Sequence, residues 1–457
     1  MNTLPPLRIW SLALLVVSLV LGACSPDKLT RQEVYDPASC EECHPTHVEQ
    51  WGMSMHAYAG DDPVFLAMNR RGQEETNGEL GSFCINCHAP LAVQLGEVED
   101  GLELEEDDFP QYFKGVTCAF CHLAAHSEGD SNNPIEIDDR LVIKGPFDDP
   151  FQDPAHRAEY SPFMDRNQRE STEICGPCHD IVLDNGVHLE QTYLEWQNTV
   201  FADDLTLTTC GNCHMPASSE PGPIADVEGV PARLLHDHSM PGVDVAITPW
   251  AGREEYRQMV QAELEDTVRS EICVDSEPPG WRVTVGLENI KAGHSFPSGS
   301  SQDRRIWAQI QAFDGDELLW ESGVVPEGTP ASELLGPDTG IILRDYLKGA
   351  DGEEVHMFWD VAEPPERDVL NGIRVFGAEE IRVWDFVGPA FTEPDRVSLR
   401  LFERPIGLDV LDDLIESGHL DPAFRAEMPT FELVDAALEW TGPVLGTCVQ
   451  TDSTPGP

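Results

Sequence analysis

The stretch Gly115-Val-Thr-Cys118-Ala-Phe-Cys121-His122 holds the pattern on which the reading turns: two cysteines three positions apart, with histidine immediately after the second. The same spacing recurs as CEECH at 40–44, CINCH at 84–88, CGPCH at 175–179 and CGNCH at 210–214. Two thiols so placed can form thioethers to both vinyl groups of one porphyrin. The next residue then sets an imidazole under the iron, which is the attachment pattern of c-type haem. Zinc ribbons and thioredoxin-type redox pairs also use Cys-x-x-Cys, but neither requires a histidine after every pair. The expectation is five covalently attached haem c groups. Their thioethers fall to Cys40, Cys43, Cys84, Cys87, Cys118, Cys121, Cys175, Cys178, Cys210 and Cys213, and their proximal iron ligands are His44, His88, His122, His179 and His214.

Working outward, the first cysteines lie 44, 34, 57 and 35 residues apart, so the motifs are not a fixed-period repeat. Residues 39–250 would carry five porphyrins on little more than 200 positions, leaving much of the core to porphyrin rather than side chain. Short helices at the motifs, long irregular connections and little sheet are expected there. The acidic run 97–108 (EVEDGLELEEDD) reads as a solvated loop.

Ten histidines remain after the proximal five, enough for a second imidazole at every iron. A doubly ligated haem passes electrons but does not readily bind substrate. Val48, Trp51, Met55 and Tyr58 recur at helical spacing, so an amphipathic helix is expected after His44. His47 and His56, nine residues apart on it, point to opposite sides, and His56 is the better distal candidate. His126, His156, His236 and His238 are further candidates, and His294 joins them from the C-terminal half. His356 and His419 read as structural.

The N-terminus and the charge bound location and partners. Arg8 precedes an apolar run, 9–23, too short to span a bilayer comfortably but suited to a signal peptide. It ends Leu21-Gly22-Ala23-Cys24, which looks like a lipoprotein cleavage site, with Cys24 lipid-modified. The expected map is a signal peptide over 1–23, a linker over 24–38, the haem domain over 39–250, a connecting helix over 251–268 and a second domain over 269–457. The chain reads as exported and lipid-anchored at the outer membrane, periplasmic or surface-facing. Asp and Glu outnumber Lys and Arg 83 to 28, a formal charge of −55. That excludes nucleic-acid binding, which needs a basic footprint. It favours redox proteins with basic docking surfaces.

Beyond the motifs themselves, the residues resemble a family. Cys40-x-x-Cys43-His44 followed by Trp51-x-x-Ser54-x-His56 is similar to the opening of multihaem cytochromes related to hydroxylamine oxidoreductase and its tetrahaem electron acceptor. Gly115-Val116 before the third motif also resembles that group. So do Thr192-Tyr193-x-Glu195-Trp196, Cys210-x-x-Cys213-His214-Met215-Pro216 and Gly293-His294-x-Phe296-Pro297-x-Gly299 leading into Arg304 and Arg305. The resemblance implies closely packed haem pairs, bis-histidine ligation and electron transfer, with His56 and His294 carried over as distal ligands. The chain departs from the catalytic members. It has five motifs rather than eight, and it lacks the Cys-x-x-Cys-Lys motif that marks the catalytic haem of pentahaem nitrite reductases.

The second half changes character. Tyr256, Met259, Val260 and Leu264 mark the connecting helix. Strand-like runs follow at Trp281–Val285, Arg305–Phe313, Glu317–Glu321, Val355–Val361, Ile381–Phe386 and Arg396–Phe402, then a helical insertion over 405–425 and a last strand near Phe431–Leu438. Their alternation suggests an antiparallel β-sandwich. The fold class is therefore a haem-rich, mostly α and irregular cytochrome domain followed by a β-sandwich. Cys273 and Cys448, left over near its ends, are expected to form a disulfide. The favoured function is electron transfer between a membrane-associated donor and a periplasmic or extracellular acceptor, a carrier rather than an enzyme. The alternative is a reductase of a small nitrogen or sulfur oxyanion at one five-coordinate haem.

Overall fold

A computed structural model describes residues 28–336, 339–374, 381–389, 392–442 and 446–452. The segment 1–23 expected to be a signal peptide, and Cys24 expected to be lipid-modified, lie outside the described residues. Among the described residues no helix is long and apolar enough to cross a membrane.

The N-terminal half is helical and irregular. Four of the five motifs sit on or beside a helical turn: Ala38–Glu41, Ile85–His88, Cys118–Leu123 and Cys210–His214. The fourth is a 3₁₀ turn, Gly176–Cys178, which has Pro177 in its first turn. A helical turn brings positions i, i+3 and i+4 to one face, so both cysteines and the histidine meet there. After His44 the expected helix is interrupted. Helix α1 (Pro45–Met53) ends at Ser54, whose backbone is extended (φ −75°, ψ 160°), and α2 (Met55–Tyr58) restarts with the Ser54 hydroxyl accepting from Ala57 N. The break redirects His56 independently of His47, which an unbroken helix could not do. Helix α3 (Pro63–Glu75) begins on the Asp62 carboxylate, which accepts from Val64 N, and buries Val64, Phe65 and Ala67.

The connecting helix α4 (Arg253–Leu264) buries Tyr256, Val260 and Leu264 on one face. It leads into two antiparallel sheets. The first has the order β7-β2-β1-β11, with β1 Val268–Glu277, β2 Gly280–Asn289, β7 Arg382–Val387 and β11 Thr447–Gln450. The second has the order β6-β5-β3-β8-β9: β3 is Arg305–Asp314, β5 Ile342–Lys348, β6 Glu363–Asp368, β8 Arg396–Arg404 and β9 Phe431–Glu432. Strand β4 (Glu317–Ser322) pairs with β3, and β10 (Leu438–Thr441) with β8. Alternating residues of β1, β2, β3 and β8, among them Ile272, Val283, Ile310 and Leu399, are fully buried in a single apolar cluster. Cys273 and Cys448 face each other across β1 and β11 and are disulfide-bonded.

Several strand expectations are corrected. Val355–Val361 is a loop with a 3₁₀ turn at Phe358–Asp360. Its alternation arises because Val355 and Phe358 pack into one apolar cluster while Met357 and Trp359 pack into another. Strand β6 was hidden by Pro364 and Pro365, which are tolerated because it lies at a sheet edge. The run 431–438 is split by a 3₁₀ turn, Val434–Ala436. The insertion over 405–425 contains helix α5 (Leu408–Glu416) and the start of a 3₁₀ turn. Among the described residues the two halves share apolar clusters. Met53 and Val245 belong to the sheet core, and Val64 and Ala67 pack with Leu408, Leu411 and Leu414 of α5.

Candidate haem-binding site

All five motif histidines line one continuous, mainly apolar cavity of about 1030 Å³, which penetrates between the helical half and the sheets. All ten motif cysteines line it as well.

The histidines provide the fit test for the implied haem. An iron–imidazole bond is about 2 Å, as for other metal–imidazole bonds, and the ring centre lies about 1 Å beyond the nitrogen. Two imidazoles on opposite faces of one iron should therefore have centroids roughly 6 Å apart. Four proximal histidines face a second imidazole at such a distance. His44 faces His156 at 6.3 Å, His122 faces His238 at 6.4 Å, His179 faces His56 at 6.3 Å and His214 faces His294 at 6.5 Å. The residues present fit haem groups held by paired imidazoles.

Hydrogen bonding orients the rings. The Nδ1 atoms of His44, His122 and His214 lie 2.7–2.8 Å from the carbonyl oxygens of Ile224, Lys144 and Pro241. Those of His238 and His294 lie 2.8 Å from the carbonyls of His236 and Ser295. Donation from Nδ1–H leaves Nε2 as the lone-pair nitrogen, the usual arrangement of a metal-bound histidine and its outer partner. Burial lowers the His56 pKa to about 4 and those of His179 and His238 to about 3, which keeps the rings in the neutral form that coordinates.

The family-like segments are the supports of these histidines. Trp51 Nε1 donates to Val116 O, and Val116 N donates to His56 O, both at 2.8 Å, tying the His56 turn to the third motif. Gly115, at φ 78°, is required there because a Cβ would sit 2.5 Å from His56 O. The Thr192–Gln197 helix clamps the turn that carries His294. Glu195 accepts from Ser295 N at 3.0 Å and from Ser298 Oγ at 2.6 Å, while the Thr192 hydroxyl accepts from Gly299 N at 2.9 Å.

Not every candidate reaches the cavity. His126 is on an exposed strand, 3.8 Å from both Glu128 and Glu136, and does not line it. His236 lines the cavity and positions His238 through its carbonyl. His47 stands edge-on to His238 at 4.7 Å. The second motif differs: Phe65 stacks on His88 at 4.0 Å, and among the described residues no imidazole opposes His88 at the separation of the other four. Sequence reasoning set His356 aside, yet it lines this cavity, with Nδ1 3.1 Å from Asp413. No local pattern could have placed it there, because the cavity wall is built by long-range packing.

The motifs are also close to one another. Cys40 lies beside Cys118, Cys87 beside Cys178, and Cys175 beside Cys210. The first motif thus abuts the third, the second abuts the fourth, and the fourth abuts the fifth.

Comparison with known proteins agrees with this architecture. Residues 39–123, spanning the first three motifs, match the family described as cytochrome c554 and c-prime. No curated protein matches the chain. Its fold is similar to the crystal structure of a penta-haem cytochrome c552 from Thermochromatium tepidum, with a TM-score of 0.61 and 20% identity, covering 89% of this chain and 99% of that one. The motif match and the shared fold together support a multihaem c-type cytochrome.

Proposed function

We propose that this chain is an exported pentahaem cytochrome, lipid-anchored through Cys24, that passes electrons between a membrane-associated donor and a periplasmic or extracellular acceptor. The observation that carries the reading is the set of four opposed imidazole pairs in one cavity lined by all five motif histidines. Haem supplies the one-electron chemistry. The protein contributes neutral, carbonyl-oriented imidazoles, thiols for attachment and an apolar enclosure. The two C-terminal sheets, read as a sandwich, complete the haem region by supplying His294. The charge of −55, made more negative by haem propionates, favours basic redox partners.

The alternative reading, reduction of a small nitrogen or sulfur oxyanion, has one observation in its favour: the different surroundings of His88. His294→Met separates ligand from bystander. Conversion of one low-spin bis-histidine haem to a methionine-ligated spectrum supports the assignment, and an unchanged spectrum in a folded variant rejects it. A nitrite and carbon monoxide binding titration addresses the alternative, since a carrier with every haem doubly ligated binds neither.

A further inference from the structure

His126 is a ligand candidate that the haem cavity leaves outside, and its neighbours are carboxylates. Its hairpin follows the third motif directly, with strands Ala124–Ser127 and Ile135–Ile137. In an antiparallel pair, directly opposed residues share a face, and so do residues two apart on one strand. Glu136 opposes His126, and Glu128 stands two residues further on. The register shifts between Ala124 and His126, so Ala125 is an extra residue on its strand. Such a bulge re-aims the side chain beside it. His126 Nε2 lies 3.8 Å from Glu128 Oε1 and 3.8 Å from Glu136 Oε2, and the three donor atoms all fall within 4.8 Å of one another.

The backbone beneath is held at several points. Glu128 N donates to Pro134 O at 3.3 Å, which closes the hairpin loop. Asn132 N and Asn133 N donate to Asp180 O and Pro177 O at 3.0 and 2.9 Å, which ties the loop to the fourth motif. On the other strand, Ile137 N donates to Gln94 Oε1 at 3.2 Å. Among the described residues neither glutamate has a lysine or arginine within ion-pair distance. Two carboxylates held this close repel one another, and a shared cation removes that repulsion.

The donor set selects the cation. An imidazole nitrogen suits Zn²⁺, Cu²⁺ and Ni²⁺, whereas Ca²⁺ and Mg²⁺ take oxygen shells. Two carboxylates neutralise a double positive charge. Bonds of about 2.0–2.2 Å in tetrahedral geometry set donor atoms roughly 3.4 Å apart. Small rotations of the three exposed side chains bring the present 3.8 Å separations to that value.

We propose that His126, Glu128 and Glu136 form a binding site for a divalent transition-metal ion of the zinc class. His126 Nε2 and one oxygen of each glutamate are the protein ligands, and water fills the fourth position. The bound ion cross-links the two strands of the hairpin immediately after the third motif.

The three residues lie outside the haem cavity, so the test is independent of how the haems are ligated. Full-length holoprotein is titrated with Zn²⁺ by calorimetry in roughly 150 mM salt with excess Mg²⁺, which screens and occupies the general acidic surface. The expected result is one tight Zn²⁺ per chain. His126→Ala and Glu136→Gln should each weaken it roughly tenfold or more, with the haem spectrum unchanged. His419→Gln, which removes another histidine paired with a glutamate, should leave it intact. With Cu²⁺ as probe, the electron paramagnetic resonance spectrum should show coupling to one nitrogen, lost in H126A. A Zn²⁺ affinity unchanged in H126A, an affinity that H419Q lowers equally, or Cu²⁺ coupled to no nitrogen overturns the site.

Discussion

Removing the Cys273–Cys448 bond should destabilise the C-terminal sheets by an amount the structure allows to be worked out. The bond closes a loop with a sequence separation of 175. Restricting an unfolded chain over that length corresponds to about 5 kcal/mol at 25 °C in the chain-entropy account, and measured values run from about 2 to 5. Among the described residues β11 has four residues and lies at the edge of its sheet beside β1, with Val449 packed on the core and Thr447 accepting from Trp440 Nε1 at 2.9 Å. For a region of 150–250 residues, 1 kcal/mol corresponds to roughly 2–4 °C in melting temperature. The double variant C273S/C448S should therefore melt roughly 4–20 °C lower, read by far-ultraviolet circular dichroism at the sheet signal. The haem Soret band should report a smaller or later change, because the haem region is stapled by its own thioethers. A variant melting within about 1 °C of wild type would refute the reasoning, since the closed loop would then contribute almost nothing.

Three further outcomes follow from packing and charge. Gly115→Ala should cost about 2 kcal/mol or more, because its φ of 78° is strained for alanine and its Cβ would press on the carbonyls of His56 and Ala57; a denaturant midpoint, with the low-spin spectrum as second readout, checks this. Arg305 is fully buried and bonded to Asp409, so Arg305→Met should cost about 3–5 kcal/mol by leaving the half-buried Asp409 carboxylate with only His356, at 3.7 Å, for a cationic partner. The double variant R305M/D409L should recover most of that loss in urea unfolding. The third concerns pH. Glu403 has its pKa raised from 4.5 to about 8 by burial, so the folded state binds the proton more tightly than the unfolded chain. Its contribution is therefore full below about pH 4.5 and is lost as pH rises toward 8, a change of order 4 kcal/mol. E403Q should remove that part of the slope when denaturant midpoints at pH 5 and pH 8 are compared.

The attachment chemistry was legible because it is local: two thiols and an imidazole within five residues specify a haem without any tertiary knowledge. His56 and His294 were legible through the residues around them, Trp51 and Gly115 for the first and Glu195 and Thr192 for the second, which the structure reveals as their hydrogen-bonding supports. Partner assignment was not legible. His156 precedes the fourth motif in sequence yet faces His44 of the first, and His56 follows the first yet faces His179 of the fourth. Sequence proximity carries no information about such crossed pairs. The strands were found where side chains alternate against one core, as in β2 and β8. They were missed where Pro364 and Pro365 masked an edge, and wrongly inferred at 355–361, where one loop feeds two apolar clusters. The cluster around His126 was legible only in part: the histidine stood out as a ligand, but its pairing with Glu136 depends on a bulged strand register that no local pattern shows.

The central claim is a set of haems held by opposed imidazoles. It is tested most directly by counting haem per chain as the pyridine haemochrome and measuring the electron paramagnetic resonance spectrum of the same oxidised sample. The account predicts five haem c per chain, at least four of them low-spin with bis-histidine signals. Fewer than five haems, or a sample in which high-spin haem predominates, would contradict it.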